Sequence, residues 1–464
     1  MKLSVVVVFI YCCLLNGLVY SQSSNAQQKE DTTSVSYALK SGDTHIKFRY
    51  FFCNTINNGN SLDYFANGTS GALSYNTNKF KRIYVKASGF SYFNIGSSNL
   101  NELDPNSNQP NRYEIGLFDL DQPNFQQHAS RLDELFIHLN FKKGFVRFGK
   151  QFINTPLMNE QDGRLRGTSF EGVYSEYSIN KKIQLFGAWI YSVTPRSTSK
   201  WYSIQESIGV NSQGVNALGE KSNYRNHITT KGVSFIGTKI NVTPNLGLQA
   251  WDYIIDNVLN TFFIQLDYSK ILKNQTKLIF ATQLIHQQAI NNGGNFDQLH
   301  SYTTKGANAI SFGTRMGLKK NRFQYTLNFN TITNNGRYVF PREWGRDVFF
   351  TFLQRERNEG SGNVNAIMVK IDYIGKNDNL KIGLGSGYYK MSDVKNFAFN
   401  KYGIPSYYQI NLNIKYYLKS LINGLEAELI LASKINAGET YQLTKYEVNK
   451  VNLLLTNIIL NYHF

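Results

Sequence analysis

The chain has 464 residues, of which 14% are aromatic and only 17% charged, with eight prolines and a formal charge of +17. That length suggests two or three soluble domains, yet no Pro-rich or Gly/Ser-rich linker and no shift in composition divides the sequence. Beyond the N-terminal segment no run approaches the ~20 apolar residues of a spanning helix, which excludes a helical membrane protein and leaves an exported all-β chain, either a transmembrane barrel or a secreted sandwich.

In chain order, Lys2 is followed by an apolar run from Val5 to Val19, interrupted at Asn16 and Gly17 and closed by Val19-Tyr20-Ser21. This is the pattern of a secretory signal peptide over residues 1–21. Its removal takes Cys12 and Cys13 away, leaves Cys53 without a disulfide partner, and lowers the formal charge from +17 to +16. Residues 22–43 read as a polar periplasmic lead, and residues 44–464 as one closed β unit.

Period-two segments fill that unit. Phe323, Tyr325, Leu327 and Phe329 alternate with Gln324, Thr326, Asn328 and Asn330, and Tyr408, Ile410, Leu412, Ile414 and Tyr416 alternate with polar neighbours. About eighteen such segments are predicted, beginning near 44, 69, 82, 131, 145, 167, 182, 231, 246, 259, 275, 308, 322, 364, 379, 405, 424 and 450. Alternation by itself also describes a sandwich, so the connections carry the distinction. Short ones such as "KKG" at 142–144 and "KN" at 320–321 take turns with long ones near 95–130, 153–166, 194–230, 289–307, 334–363, 391–404 and 437–449. Asn257-Val258 is the exception, a tight turn where a long loop is due. Tight turns on one rim and long loops on the other predict an antiparallel outer-membrane β-barrel with periplasmic turns and extracellular loops. Closure follows from hydrocarbon, where every backbone polar group needs an internal partner.

The last segment, with Leu454, Ile458, Leu460, Tyr462 and Phe464 on one face, is expected to close the ring. Tyr462 and Phe464 also look like the terminal signal read by barrel-assembly machinery. If the apolar faces meet outer-membrane lipid and lipopolysaccharide, the polar faces meet water. Lys47, Arg49, Lys86, Arg147, Arg315, Lys370, Lys381 and Lys415 then line the bore, opposed by Glu134, Asp267, Asp372, Glu426 and Glu428. Such a wall concentrates anions, unless the charges pair with one another to brace the barrel. Within "NTPLMNEQDGRLRGTSFEG", beginning at Asn154, Glu160 and Asp162 stand beside Arg164 and Arg166, a set suited to a constriction that folds inward near 153–166.

Three stretches, "FGKQFINTPLMNEQDGRLRGTSFEGV", "VTPRSTSKW" from Val193 and "REWGRD" from Arg342, resemble the substrate-specific outer-membrane porins of the OprD family. The resemblance implies an eighteen-stranded barrel in a Gram-negative outer membrane that passes small carboxylate-bearing solutes, such as amino acids, peptides or organic acids. It places Asn159, Glu160, Asp162, Arg164 and Arg166 in a constricting third loop and Arg342, Glu343, Arg346 and Asp347 in the seventh. It leaves monomer and homotrimer both open.

The alternative is a surface adhesin or structural barrel with a blocked lumen. Catalysis is not expected, because no G-x-S-x-G occurs and the seven histidines are scattered. Asp104, Asn106 and Asn108 mimic the start of a calcium loop, but Gln109 and Ile115 stand where its glycine and glutamate belong. No metal, cofactor or nucleic-acid partner is expected.

Overall fold

Alternating apolar and polar side chains can bury one face only if the strands share a curved sheet, and an odd shift of register would turn every side chain to the wrong face. The computed structural model describes residues 34–121, 128–161 and 163–464. The expected signal peptide and residues 22–33 of the lead lie outside the described residues. Of nineteen strand segments, eighteen form one antiparallel ring. The other, Tyr202–Ser203, pairs only with the end of strand Ile183–Thr194.

The ring closes where strand Asp43–Asn57 meets Leu453–His463, from Lys47 opposite His463 to Asn57 opposite Leu453. Ile46 and Phe464 extend the seam by exchanging both backbone hydrogen bonds, at 3.0 and 2.9 Å. No sheet edge is left at the seam, as hydrocarbon requires. The predicted strand starts fall close to the observed ones, with the largest displacement at the second strand, which begins at Tyr64 and not near 69. The tight turn at Asn257 is present, with a positive φ of 61° and a Val258 N–H donated to Ile255 at 3.0 Å. Register slips by one residue at Asn67/Gly68, Ser88/Gly89, Glu171/Gly172 and Leu246/Gly247. At all four a glycine stands opposite the extra residue of the partner strand, Ile95, Asp133, Tyr191 or Val242, so that the ladder can bend without a side chain to accommodate.

Leu135, Ile137, Phe148, Ile236, Leu327, Ile367 and Val369 stand exposed on the outer face. In water such a belt would drive aggregation; against lipid it is the matching surface. The inner face departs from the expected simple polar lining. Phe235, Trp251, Tyr253 and Phe263 point inward and are almost fully buried, as are Tyr389 and Tyr407. They pack against residues from the long loops, including Leu157, Met158, Ile208, Trp344 and Phe349, in one hydrophobic cluster. The reason is that the long loops carry apolar anchors of their own, and these need a dry wall to pack on. The main hydrophobic core therefore lies inside the barrel, toward the loop end and against one side.

The end of the expected polar lead is structured. Ser34 caps helix Val35–Lys40 by accepting from the Tyr37 N–H at 3.0 Å. Asn78 N–H, in the first tight turn, donates to Ala38 O at 2.9 Å, and Gly42 N–H donates to Tyr75 Oη at 3.0 Å. Cys53 is buried on the inner face with a free thiol.

Candidate functional site

Two loops meet inside the barrel as the sequence motifs implied. Asn159 N–H donates to Trp344 O at 3.0 Å, and Arg346 N–H donates to Asn159 Oδ1 at 3.2 Å. Thr168 Oγ1 donates to Glu343 O at 3.1 Å. At Gly345 any side chain would begin 2.4 Å from Leu157 O, so the two loops touch backbone to backbone. Trp344 is fully buried at this junction, and its Nε1 donates to Ser207 Oγ at 2.9 Å, tying in a third loop.

The charged residues expected in the constriction divide into two groups. Arg164, Arg342, Arg346 and Asp347 line a cavity of about 980 Å³. Glu343 is buried and braces a neighbouring loop, its Oε1 accepting from Gly209 and Asn211 N–H groups at 3.2 and 2.8 Å. Glu160 accepts from Asn154 Nδ2 at 2.9 Å. Arg166 is paired with Asp133 on the barrel wall, and not with the acids of its own loop, while its guanidinium stacks on Phe152 at 4.8 Å. Asp162 lies outside the described residues.

Asp133 belongs to an anchor that sequence reading missed. Arg131 Nε donates to Asp133 Oδ1 at 2.5 Å, and its other nitrogens reach Gly167 O at 2.5 Å and Thr198 O at 2.8 Å. One buried pair on strand Ala129–Asn140 thereby holds the carbonyls of two loops. The available signal was the charged pair at i and i+2, which shares one face of a strand.

All eight basic wall residues fall on the inner face, and several are braced. Lys86 pairs with Glu134 at 2.8 Å, Lys370 with Asp372 at 2.8 Å, and Lys415 with Glu426 at 2.7 Å. Arg147 Nε donates to His138 Nδ1 at 3.0 Å, Arg315 Nε to Asn328 Oδ1 at 2.7 Å, and Lys381 Nζ to Tyr417 Oη at 3.3 Å. Arg49 holds the 152–168 loop, donating Nη1 to Arg164 O at 2.7 Å and Nε to Asn461 Oδ1 at 2.6 Å. Lys47 is engaged as well. These residues support the wall at least as much as they face the bore.

The cavity runs along the seam side of the barrel, where Phe51, Glu428, Ile430 and Ile459 reach it. Eight arginines and four lysines line it, against one aspartate and three glutamates. All twelve cations come from loops and none is one of the eight basic wall residues; Arg196, Arg355 and Lys401 among them were not anticipated. The acids are largely spoken for. Glu359 is paired with Lys401 at 3.0 Å and accepts from Tyr402 Oη at 2.7 Å. Burial, reinforced by nearby Glu359, raises the Asp347 carboxyl to about 6, although it accepts the Asn358 N–H at 3.0 Å. Burial and Asp347 likewise hold the Glu356 carboxyl well above the ordinary range. Burial pulls the Arg355 guanidinium down to about 9, with Arg164 adding to the effect, which leaves it charged at neutral pH.

The calcium-like sequence is instead an internally satisfied turn. Asp104 accepts from the N–H groups of Leu62, Asn106 and Ser107 at 2.7, 3.1 and 2.8 Å. Among the described residues no cluster of His, Cys, Asp or Glu could hold a metal.

Residues 121–334 match the model of the OprD family of outer membrane porins. A search among curated proteins finds no match. Among solved structures, the chain is similar to Pseudomonas aeruginosa OccK9 (OpdG), with a TM-score of 0.71 at 11% identity over 92% of this chain and 99% of that one. Acinetobacter baumannii OccAB1 gives 0.71 at 12% identity, covering 94% and 99%. Pseudomonas aeruginosa OpdK, solved with vanillate, gives 0.67 at 13% identity, covering 92% and 99%.

Proposed function

We propose that this chain is an outer-membrane porin of the OprD family, whose model matches residues 121–334, and that it passes small carboxylate-bearing solutes by passive diffusion, with the third and seventh loops setting the constriction. The observation that carries the reading is the charge of the cavity: twelve basic side chains line it against four acidic ones. A wall of that sign inside a low-dielectric cylinder raises the local concentration of anions and lowers that of cations. Two further facts support it. The fingers of Arg164, Arg342 and Arg346 reach the same space from two loops that are locked together through Asn159, and a planar guanidinium matches a carboxylate fork. A structure of similar fold, OpdK, was solved with vanillate, an aromatic carboxylate.

Reconstitution in planar bilayers tests the reading. A salt gradient should give a reversal potential of the sign for anion preference, and vanillate or benzoate should block current where a neutral sugar of similar size does not. Cation preference, or equal block by the sugar, would overturn it. The loop core that fills part of the lumen favours one second reading, a blocked barrel whose long loops bind an external partner; surface binding with no conductance would identify it. Tyr462 and Phe464 are proposed as the signal for the assembly machinery, supported by the exposed ring of Phe464 at the closing seam.

A further inference from the structure

Four of the cavity's arginines form a group that a solute with a single charge does not use fully. Arg164, Arg196, Arg342 and Arg355 come from three loops, 152–168, 195–232 and 333–363, and all line the same space. Arg196 is central. Arg164, Arg355 and Arg342 lie close enough to act on its charge, and among the described residues no carboxylate does so. Gly163 leaves room beside it, since a side chain there would begin 3.6 Å from Arg196 Nη1.

The other three are held in place with donors to spare. Arg164 donates Nη1 to Gly163 O at 2.8 Å and Nη2 to Tyr113 O at 2.9 Å, and its buried Nε has no partner among the described residues. Arg342 donates Nη1 to Ser212 O at 3.4 Å and lies over the Tyr402 ring at 5.2 Å, and its Nε also has no partner among the described residues. Arg355 donates to Asn457 Oδ1, while Lys434 Nζ holds the Arg355 carbonyl at 2.6 Å. Carboxylates act on three of the four, Glu359 and Glu343 on Arg342 and Glu114 on Arg164 and Arg355, but Glu359 is shared with Lys401 at 3.0 Å and Glu428 is committed to Asn413 Nδ2 at 2.7 Å.

Like charges held together repel, and the repulsion is relieved in proportion to the negative charge placed among them. A monovalent carboxylate satisfies one guanidinium fork, and the ammonium of a zwitterion is pushed away by the remaining ones. A solute with two or three separated anionic groups can bridge arginines from different loops. We infer that the Arg164, Arg196, Arg342 and Arg355 cluster is a site for small multivalent anions, di- or tricarboxylates and phosphate esters, preferred over monovalent carboxylates and zwitterions. The inference rests on the proposed porin function and sharpens its substrate class.

The test is block of single-channel current by tricarballylate, pyrophosphate, propionate and glycine, in wild type and in Arg196→Gln. Tricarballylate and pyrophosphate should block at concentrations roughly tenfold below propionate, with glycine weakest. Arg196→Gln should weaken multivalent block about tenfold and propionate block by about two- to threefold. Should that variant fail to assemble into a barrel whose gel mobility changes on boiling, Arg342→Gln is measured in its place with the same expectation. Equal block by tricarballylate and propionate, stronger block by glycine, or equal losses for every solute in the variant would overturn the site. The salt-gradient potential in the same membranes separates the two readings: anion selectivity with equal block sinks only the multivalent site, whereas cation selectivity sinks the carboxylate reading with it.

Discussion

The two sides of the barrel divide packing and charge unequally. On the side formed by Val233–Thr243, Leu246–Ile255 and Leu259–Ile271, the inner face carries Phe235, Trp251, Tyr253 and Phe263, and the long loops lean on it as on any dry core. On the seam side, formed by Leu425–Asn436, Leu453–His463 and Asp43–Asn57, smaller apolar clusters around Phe51, Ile430 and Ile459 and around Leu453 and Leu455 hold the loop residues Phe118, Leu165 and Tyr113, and the charged cavity opens beside them. The difference shows how loops can narrow a wide cylinder. Loops need a hydrophobic wall to be held, and holding most of their apolar mass on one side leaves the cavity against the other.

The strongest way to break that division is to empty the packed side. Trp344→Ala should cost about 3–5 kcal/mol of packing, seen as a lower temperature for the folded-to-unfolded gel shift together with larger, noisier conductance as the loops loosen. Next is the anchor between the two sides. Asp133→Ala strands Arg131 and Arg166, and breaking such a buried pair costs about 3–5 kcal/mol locally; faster proteolysis within 160–167 while the barrel stays folded is the expected readout. On the open side, Arg164→Ala should lower the anion-to-cation permeability ratio by roughly two- to fivefold, measured by reversal potential.

A smaller effect comes from pH. Burial raises Asp347 from the ordinary 3.8 to about 6, so the folded protein binds this proton more tightly than the unfolded chain does. Its stabilising contribution is full below 3.8 and is lost as pH rises through about 6. Protonation over the same window removes a negative charge from the cavity. Anion selectivity should therefore rise as pH falls through about 6, and Asp347→Asn should flatten that dependence. The smallest change expected is Lys415→Gln. The pair with Glu426 is partly solvated, with the lysine side chain 27% exposed, so its loss should shift stability by at most about 1 kcal/mol and leave selectivity nearly unchanged.

The barrel was legible in the sequence because its signal is local. Phe323 to Ile332 alternates within one strand, and the lipid that selects the alternation is the same for every strand. The meeting of the third and seventh loops was legible through motifs, "NEQDGRLRG" and "REWGRD", although not the uses to which their charges are put. Arg166 lay beside Glu160 in sequence, yet its partner is Asp133, thirty-three positions earlier on a strand. Glu343 looked like a pore acid and is a loop brace. Such assignments depend on which buried donor lies opposite, a property of packing between distant segments that no period reveals. The inward Trp251 and Phe263 escaped for a related reason: alternation shows that faces differ and is silent on whether water or a folded loop fills the interior.

A pipe stiffened along one flank yields along the other. Strands backed by the aromatic mass are sheltered from both sides, by lipid and by protein, whereas Leu425–Asn436 and its seam neighbours lean on two smaller apolar clusters with the charged cavity beside them. Deuterium should therefore enter the seam amides first, and mechanical or thermal failure should begin as an unzipping at the junction of the two ends of the sheet, with the opposite flank the last to let go.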